Sequence, residues 1–182
     1  MYAGGGVFDS SCVQEEIRFT ISPELLVATL LFERLGPHEA FVVHGTERYS
    51  SYTGYGESFK FCGGFTDTTD FEIFANIGTN DMAPYKRRKS VVVGIDAICY
   101  FGVACQSEWS HIRREIIKAC AGFFYPDQTC LGWKIGTGNW GCGVLGGKPE
   151  LKFLIQWMSA TLAGKDLTYH LCSVFSAWYR LM

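Results

Sequence analysis

Nowhere in the 182 residues do two cysteines form a C-x-x-C pair, so the common zinc and thiol-redox arrangements are missing from the outset. The eight cysteines (12, 62, 99, 105, 120, 130, 142 and 172) are also too sparse for a disulfide scaffold, which takes roughly 8–10% cysteine. Reduced thiols, and with them a nuclear or cytoplasmic location, are the expectation. No apolar run approaches the roughly 20 residues that span a bilayer, and no signal-peptide pattern precedes the first glycines, so a soluble chain without a membrane partner is expected. An excess of one charge is lacking too. A formal net charge of −2 supplies no field that would gather nucleic acid, and direct DNA binding is not expected. Internal repeats and low-complexity linkers are absent.

Apolar residues, by contrast, make up 48% of the chain and aromatics 15%, enough to fill the core of one domain of this length. Ser11-Cys-Val-Gln14 has the form of a capping box and predicts a short helix through QEEIRF. Ser22-Pro23 predicts a second start, with the apolar run from Leu25 to Leu35 forming a helix buried on most faces. AFVV (40–43) and SVVVGI (90–95) read as strands covered on both faces by helices, the signature of an α/β sandwich. Helical spacing links Trp109, Ile112, Ile116, Ile117 and Cys120, and again Leu151, Leu154, Ile155, Met158 and Leu162. A strand is expected at LTYHL (167–171) and a last helix near 174–181. Residues 62–89 are polar and lack a sustained period, so they read as a long surface loop, and its KRRK run (86–89) as a solvated one without a function.

Three segments carry candidate chemistry. Gly4, Gly5 and Gly6 permit close backbone approach to a ligand, and Gln14, Glu15 and Glu16 follow them. Alone, the glycines are a flexible terminus and the carboxylates are ordinary partners of a helix dipole, worth about 0.3–1 kcal/mol. GTGNWGCGVLGG (136–147) can converge successive N–H groups on a diphosphate ahead of a helix starting near Pro149, or it can make plain turns around a buried Trp140. Tyr49, Tyr52 and Tyr55 flank Gly54. Half-buried packing is the default for such tyrosines, and a ring stacked on an adenine is the functional alternative.

Taken in order, GGG…VQEEIRF (4–19), GTERYSSYTGYGES (45–58), GIDA (94–97) and TGNWGCG…GG (137–147) resemble the poly(ADP-ribose) glycohydrolase family, from Tyr2 to about Tyr169. The resemblance implies a macrodomain-like, three-layer α/β/α sandwich with a mixed sheet. It further implies one partial catalytic domain over residues 1–182, lacking its first strands, that hydrolyses the ribose–ribose O-glycosidic bonds of poly(ADP-ribose) in the DNA damage response. By similarity Glu16 would be the general acid/base and Glu15 would hold the terminal ribose through its hydroxyls. Val13 and Gln14 would line the ribose pocket, Gly4, Gly5 and Gly6 would form a backbone cradle for the substrate, Tyr55 would stack near the adenine, and Asn139, Gly141, Cys142, Gly143, Val144 and Leu145 would wrap the diphosphate. Implied partners are poly(ADP-ribose) or ADP-ribose and poly(ADP-ribosyl)ated proteins, and neither a metal nor a cofactor is implied.

The chemistry suits such a pair. Leaving-group protonation followed by activation of water can be done by one carboxyl in sequence, provided its pKa is raised by burial and by a neighbouring carboxylate. The chain departs from the family at several points. It opens at Met1-Tyr2-Ala3, where relatives carry a ribose-contacting asparagine and preceding strands, and Leu145 and His170-Leu171-Cys172 stand where relatives have aromatics near the ribose. These departures keep two alternatives open: an ADP-ribose-binding module without turnover, and an incomplete fragment.

Overall fold

The computed structural model describes Val7 and residues 12–74, 85–101, 105–124 and 132–171. The chain divides into two compact units, Met1–Leu35 with Phe41–Gly94, and Gly36–Ala40 with Ile95–Met182.

The first unit begins with helix α1, Gln14–Ile21, whose buried residues are Glu16, Ile17, Phe19 and Ile21. Its N-cap is Val13, without a side-chain cap, and Ser11 of the expected capping box lies outside the described residues. A 3-10 turn over Pro23–Leu25 leads into α2, Leu26–Leu31. This element is shorter than the apolar run that encodes it. The chain turns extended at Phe32, Leu25 and Ala28 point into the core, and Val27, Leu30 and Leu31 are exposed, which corrects the expectation of a helix buried on most faces. Phe19, Leu25, Ala28 and Phe41 form the core cluster, with Val43 and Val92 packed against it.

Strands β1 (Phe41–His44) and β6 (Val91–Gly94) pair antiparallel with Phe41 opposite Gly94. A Cβ at position 94 would lie 2.0 Å from the Phe41 ring, so the glycine is the space that the aromatic fills. Only Phe41 of these eight residues is fully buried, and the double covering read from the two apolar runs is therefore not seen. Between them lie β2 (Ser50–Thr53) paired with β3 (Lys60–Gly64), and β4 (Phe71–Phe74) paired with β5 (Tyr85–Arg88), both antiparallel. Of the segment read as one long loop, residues 62–64, 71–74 and 85–88 are strand, which corrects that expectation for these residues.

Cross-strand pairs explain how so polar a stretch pairs. Glu72 stands opposite Arg87 and the two make a 2.5 Å ion pair, while the Arg88 guanidinium lies 3.8 Å from the centre of the opposing Phe71 ring and bridges to Glu47 at 2.5 Å. Two of the four basic residues of KRRK are therefore committed within the unit.

The second unit holds α3 (Trp109–Phe123), β7 (Ile135–Thr137), α4 (Pro149–Leu162) and β8 (Leu167–Tyr169). Both helices fall where their apolar spacing predicts, and Pro149 occupies the first turn of α4. β7 and β8 pair in parallel, which requires the intervening α4 crossover. The described strands of the chain therefore form four two-stranded sheets, three antiparallel and one parallel, in a mixed α/β chain. The helix expected near 174–181 lies outside the described residues.

Charged residues, not only apolar ones, fill this second core. Glu115, Lys118 and Lys152 are almost wholly inaccessible. The Lys118 ammonium donates to the carbonyls of Gly36 at 2.6 Å and Glu39 at 2.5 Å and pairs with Asp96 at 2.5 Å, so its three protons meet three oxygens. Arg114 bridges Asp96 at 2.5 Å and Glu115 at 2.8 Å. Glu115 also accepts from the Ile98 N–H at 3.0 Å and pairs with Lys152. Burial pushes the Asp96 carboxyl up, but hydrogen bonds from Lys118 and Arg114 outweigh it and leave the pKa below the ordinary range. Removing one member of such a network leaves a buried charge uncompensated. Lys118→Met is therefore expected to lower stability by about 3–5 kcal/mol in urea titration, and a loss below about 1 kcal/mol would mean that the network is not coupled.

Candidate functional site

The predicted site residues fall in both units. In the first unit, Val13 caps α1 and Gln14, Glu15 and Glu16 form its first turn. Gln14 is exposed, Glu15 half-buried and Glu16 only 6% exposed. The helix is a single register of alternating duties: Glu16 turns inward with Ile17 and Phe19, although the composition of QEE alone would put all three polar residues in water. A carboxylate in the first turn also sits at the positive end of the helix dipole.

The loop after β2 closes on this turn. The Tyr55 hydroxyl accepts the Gln14 N–H at 3.3 Å, and the Gly56 N–H donates to the Cys12 carbonyl at 2.8 Å. The first four N–H groups of a helix lack intrahelical acceptors, and here a tyrosine 41 residues away supplies one. The loop is braced by Ser58, whose Oγ accepts the Tyr55 N–H at 2.9 Å and donates to the Tyr55 carbonyl at 2.8 Å. Gly54 has φ +76°, and a Cβ there would lie 1.9 Å from the Ser58 carbonyl oxygen. With its hydroxyl spent on the helix, Tyr55 is 46% exposed. Of the other two tyrosines, Tyr49 donates to Glu24 at 3.1 Å and Tyr52 packs against Phe59.

In the second unit, residues 138–147 fold as a chain of tight turns between β7 and α4. The N–H groups of Trp140, Cys142, Gly146 and Gly147 donate to the carbonyls of Gly138, Asn139, Gly143 and Gly141 respectively. Residues Gly143–Leu145 form a 3-10 turn, with Val144 75% exposed and Leu145 half-buried. Three glycines here, 141, 143 and 146, have positive φ. Gly141 has no room for a side chain in any case, since a Cβ would lie 2.5 Å from the Ala97 Cβ and 2.9 Å from the Lys152 Nζ.

Side chains hold the loop from three sides. The Gln106 amide donates to the Gly146 carbonyl at 2.6 Å and accepts the Lys148 N–H at 2.9 Å. Gln156, wholly buried, donates to the Gly138 carbonyl at 3.1 Å and accepts the Thr137 hydroxyl at 2.6 Å. The Asn139 side chain accepts the Tyr169 hydroxyl at 2.8 Å. Below the loop, Trp140 donates its indole N–H to the Ile95 carbonyl at 3.1 Å, and the Lys152 ammonium lies 4.2 Å from the centre of its ring. The cradle and buried-tryptophan readings of this segment are thus compatible: Trp140 anchors turns whose outer residues stay exposed. Burial pushes the Cys142 thiol up to about 11, so it is protonated at neutral pH and no nucleophile.

Two features escaped the sequence reading. The GIDA stretch is structural: Gly94 makes room for Phe41, Asp96 pairs with Arg114 and Lys118, and Ala97 packs against Gly141. Gln106 and Gln156, which clamp the glycine loop, carry no local sequence signal at all. Gly4, Gly5 and Gly6 lie outside the described residues. Among the described residues no group of three His, Cys, Asp or Glu could hold a metal ion, and no helix is long and apolar enough to cross a membrane.

Hydroxyl and backbone contributions at Tyr55 can be separated. Tyr55→Phe should cost only about 0.5–1 kcal/mol, the worth of one part-solvated hydrogen bond, whereas Gly54→Ala should cost at least about 2 kcal/mol because strained φ and a clash combine. Thermal and urea unfolding compare them, and equal losses would refute the packing described for this loop.

Comparison with known proteins follows the same lines. Residues 1–176 match the family model described as poly(ADP-ribose) glycohydrolase, macro domain fold. A probable poly(ADP-ribose) glycohydrolase 2 of Arabidopsis thaliana is 34% identical over 90% of this chain and 36% of its own length. Poly(ADP-ribose) glycohydrolase 1 of Caenorhabditis elegans is 36% identical over 94% of this chain and 22% of its own length, and poly(ADP-ribose) glycohydrolase 1 of Arabidopsis thaliana is 30% identical over 88% and 39%. The chain thus spans well under half the length of the curated relatives it matches.

Proposed function

This chain belongs to the poly(ADP-ribose) glycohydrolase family, and from that premise we propose that it is a glycosidase acting on the ribose–ribose O-glycosidic bonds of poly(ADP-ribose), with Glu16 as its acid/base. The observation that carries the reading is the burial of Glu16 in the first turn of α1, beside the half-buried Glu15. A carboxyl withdrawn from water can protonate a leaving ribose oxygen as its bond to the anomeric carbon breaks. The same group, then ionised, takes a proton from the attacking water. Glu15 is assigned the hydroxyls of the terminal ribose, with Val13 and Gln14 beside it, and Gly4, Gly5 and Gly6 are assigned the approach to the same sugar.

Tyr55 is assigned the adenine. Support comes from its exposure and from a hydroxyl that accepts the Gln14 N–H, which helps to fix where the side chain stands. Residues Asn139, Gly141, Cys142, Gly143, Val144 and Leu145 are assigned the diphosphate, because the opening N–H groups of a 3-10 turn lack intrahelical acceptors and glycines allow close approach. Poly(ADP-ribosyl)ated proteins are the corresponding partners, in the DNA damage response. A nuclear or cytoplasmic location accords with the six described cysteines, all free thiols.

Glu16→Gln preserves size but cannot cycle a proton. Release of ADP-ribose from labelled polymer should fall by about 10²–10⁴-fold with ADP-ribose affinity nearly constant, whereas Glu15→Gln should weaken binding as well as rate. Wild-type turnover in Glu16→Gln would remove Glu16 from the mechanism. Tight ADP-ribose binding by the parent chain with no turnover would instead mark a binding module.

A further inference from the structure

A second polar cleft, of about 230 Å³, opens in the first unit, lined among others by Arg18, Thr46, Arg48, Phe65, Asp67 and Ser90. That is several times the roughly 30 Å³ share of one water molecule, so a small ion fits with room for solvent. None of the residues assigned to ribose, adenine or diphosphate lines it. Arg18 leaves α1 two residues after Glu16, and at about 100° per residue the two side chains diverge to roughly opposite sides of the helix.

The lining is cationic, and most of its guanidinium donors are not engaged among the described residues. Among the described residues no hydrogen bond or ion pair engages the Arg18 guanidinium. Of the Arg48 guanidinium only Nε donates among the described residues, to the Ser50 carbonyl at 2.9 Å, and its Cζ lies over the Phe65 ring, 4.0 Å from the centre. Thr46 is 3% exposed and its hydroxyl has no hydrogen-bond partner among the described residues, an arrangement that costs free energy unless something in the cleft completes it.

Among the described residues Asp67 is the carboxylate lining the cleft, and it is already used. Asp67 accepts the backbone N–H groups of Arg48 and Thr69, each at 2.9 Å, one on each oxygen. Its pKa is held down at about 2, chiefly by the hydrogen bond from Arg48, so it stays ionised. Two guanidinium charges against one carboxylate leave the lining with an excess of one positive charge. Burial pushes the Arg18 pKa down, as does the neighbouring Arg48 charge, so this guanidinium gains from an added anion.

We propose that this cleft binds a phosphate group, held by the Arg18 and Arg48 forks with the Thr46 hydroxyl as a further donor. Two planar forks and a hydroxyl supply more donors than the two coplanar oxygens of a carboxylate accept, and they match the tetrahedral oxygens of phosphate. The phosphate is either the free ion or one carried by a larger ligand.

Differential scanning fluorimetry of the full chain with inorganic phosphate tests this. Phosphate should raise the melting temperature along a saturating curve, well beyond chloride or acetate at matched ionic strength. Arg18→Gln loses no internal hydrogen bond and should still fold, with phosphate affinity weakened about tenfold or more. Thr46→Val removes a buried unpartnered hydroxyl, keeps the shape, and should weaken phosphate by roughly two- to tenfold. If Arg18→Gln fails to fold, Thr46→Val alone decides. ADP-ribose added at saturating phosphate separates the sources: an independent further shift assigns the cleft to a phosphate other than the ADP-ribose diphosphate, and competition assigns it to that diphosphate in place of residues 139–145. A phosphate response no greater than that to acetate, or one unchanged in the folded variants, overturns the proposal.

Discussion

Lys152 is the residue on which the second unit turns, because its ammonium sits beneath the glycine loop with almost no access to water. Taking such a charge out of water costs several kcal/mol, and only close partners in good geometry offset it. Glu115 is the anionic partner, and the ammonium also lies over the Trp140 ring at 4.2 Å and the Tyr100 ring at 5.6 Å. Burial pushes the Lys152 pKa down and the Glu115 carboxylate opposes it, the balance expected of a buried pair. Because Glu115 is itself fixed by Arg114 and the Ile98 N–H, and Arg114 by Asp96, the loop geometry depends on a chain of ion pairs running through α3. Gly141 and Gly147 follow from this: a Cβ on either would lie 3.2 Å or less from the Lys152 side chain.

The first unit solves a different problem with one short helix. α1 has to bury an acid and turn a base two residues on toward a polar cleft, within eight residues and without a side-chain cap of its own. The Tyr55 hydroxyl and the Cys12 carbonyl tie its start to the loop after β2, so helix and loop are positioned by each other. Apolar packing of Phe19, Leu25, Ala28 and Phe41 supplies the non-directional part of the stability, and hydrogen bonds set the register.

Legibility in the sequence tracked how local the physics is. α3 and α4 could be read because their apolar spacing repeats over 15 and 14 residues, and Pro149 marks a start that proline favours. β4 and β5 could not, because each is only four residues long, β5 is largely basic, and the Phe71/Ile73 alternation of β4 is too short to stand out; they are matched by Glu72 with Arg87 and Phe71 with Arg88, contacts across the strand pair. α2 was misjudged for the opposite reason. An apolar run announces hydrophobicity, but which of its residues face inward depends on where the helix stops, and Phe32 ends it early.

The candidate site divides the same way. Glycine clusters, the adjacent carboxylates and the order of the motifs are properties of the chain itself, and they were enough to point to a family and a chemistry. That Glu16 is buried while Gln14 is exposed, that Tyr55 caps a helix 41 residues away, and that Asp96 of GIDA pairs with Arg114 and Lys118 are matters of packing. Burial and hydrogen-bond partners are set by groups distant in sequence, so one-dimensional spacing carries no trace of them, and only the folded chain decides which carboxylate is withdrawn from water and which arginine is left without a partner.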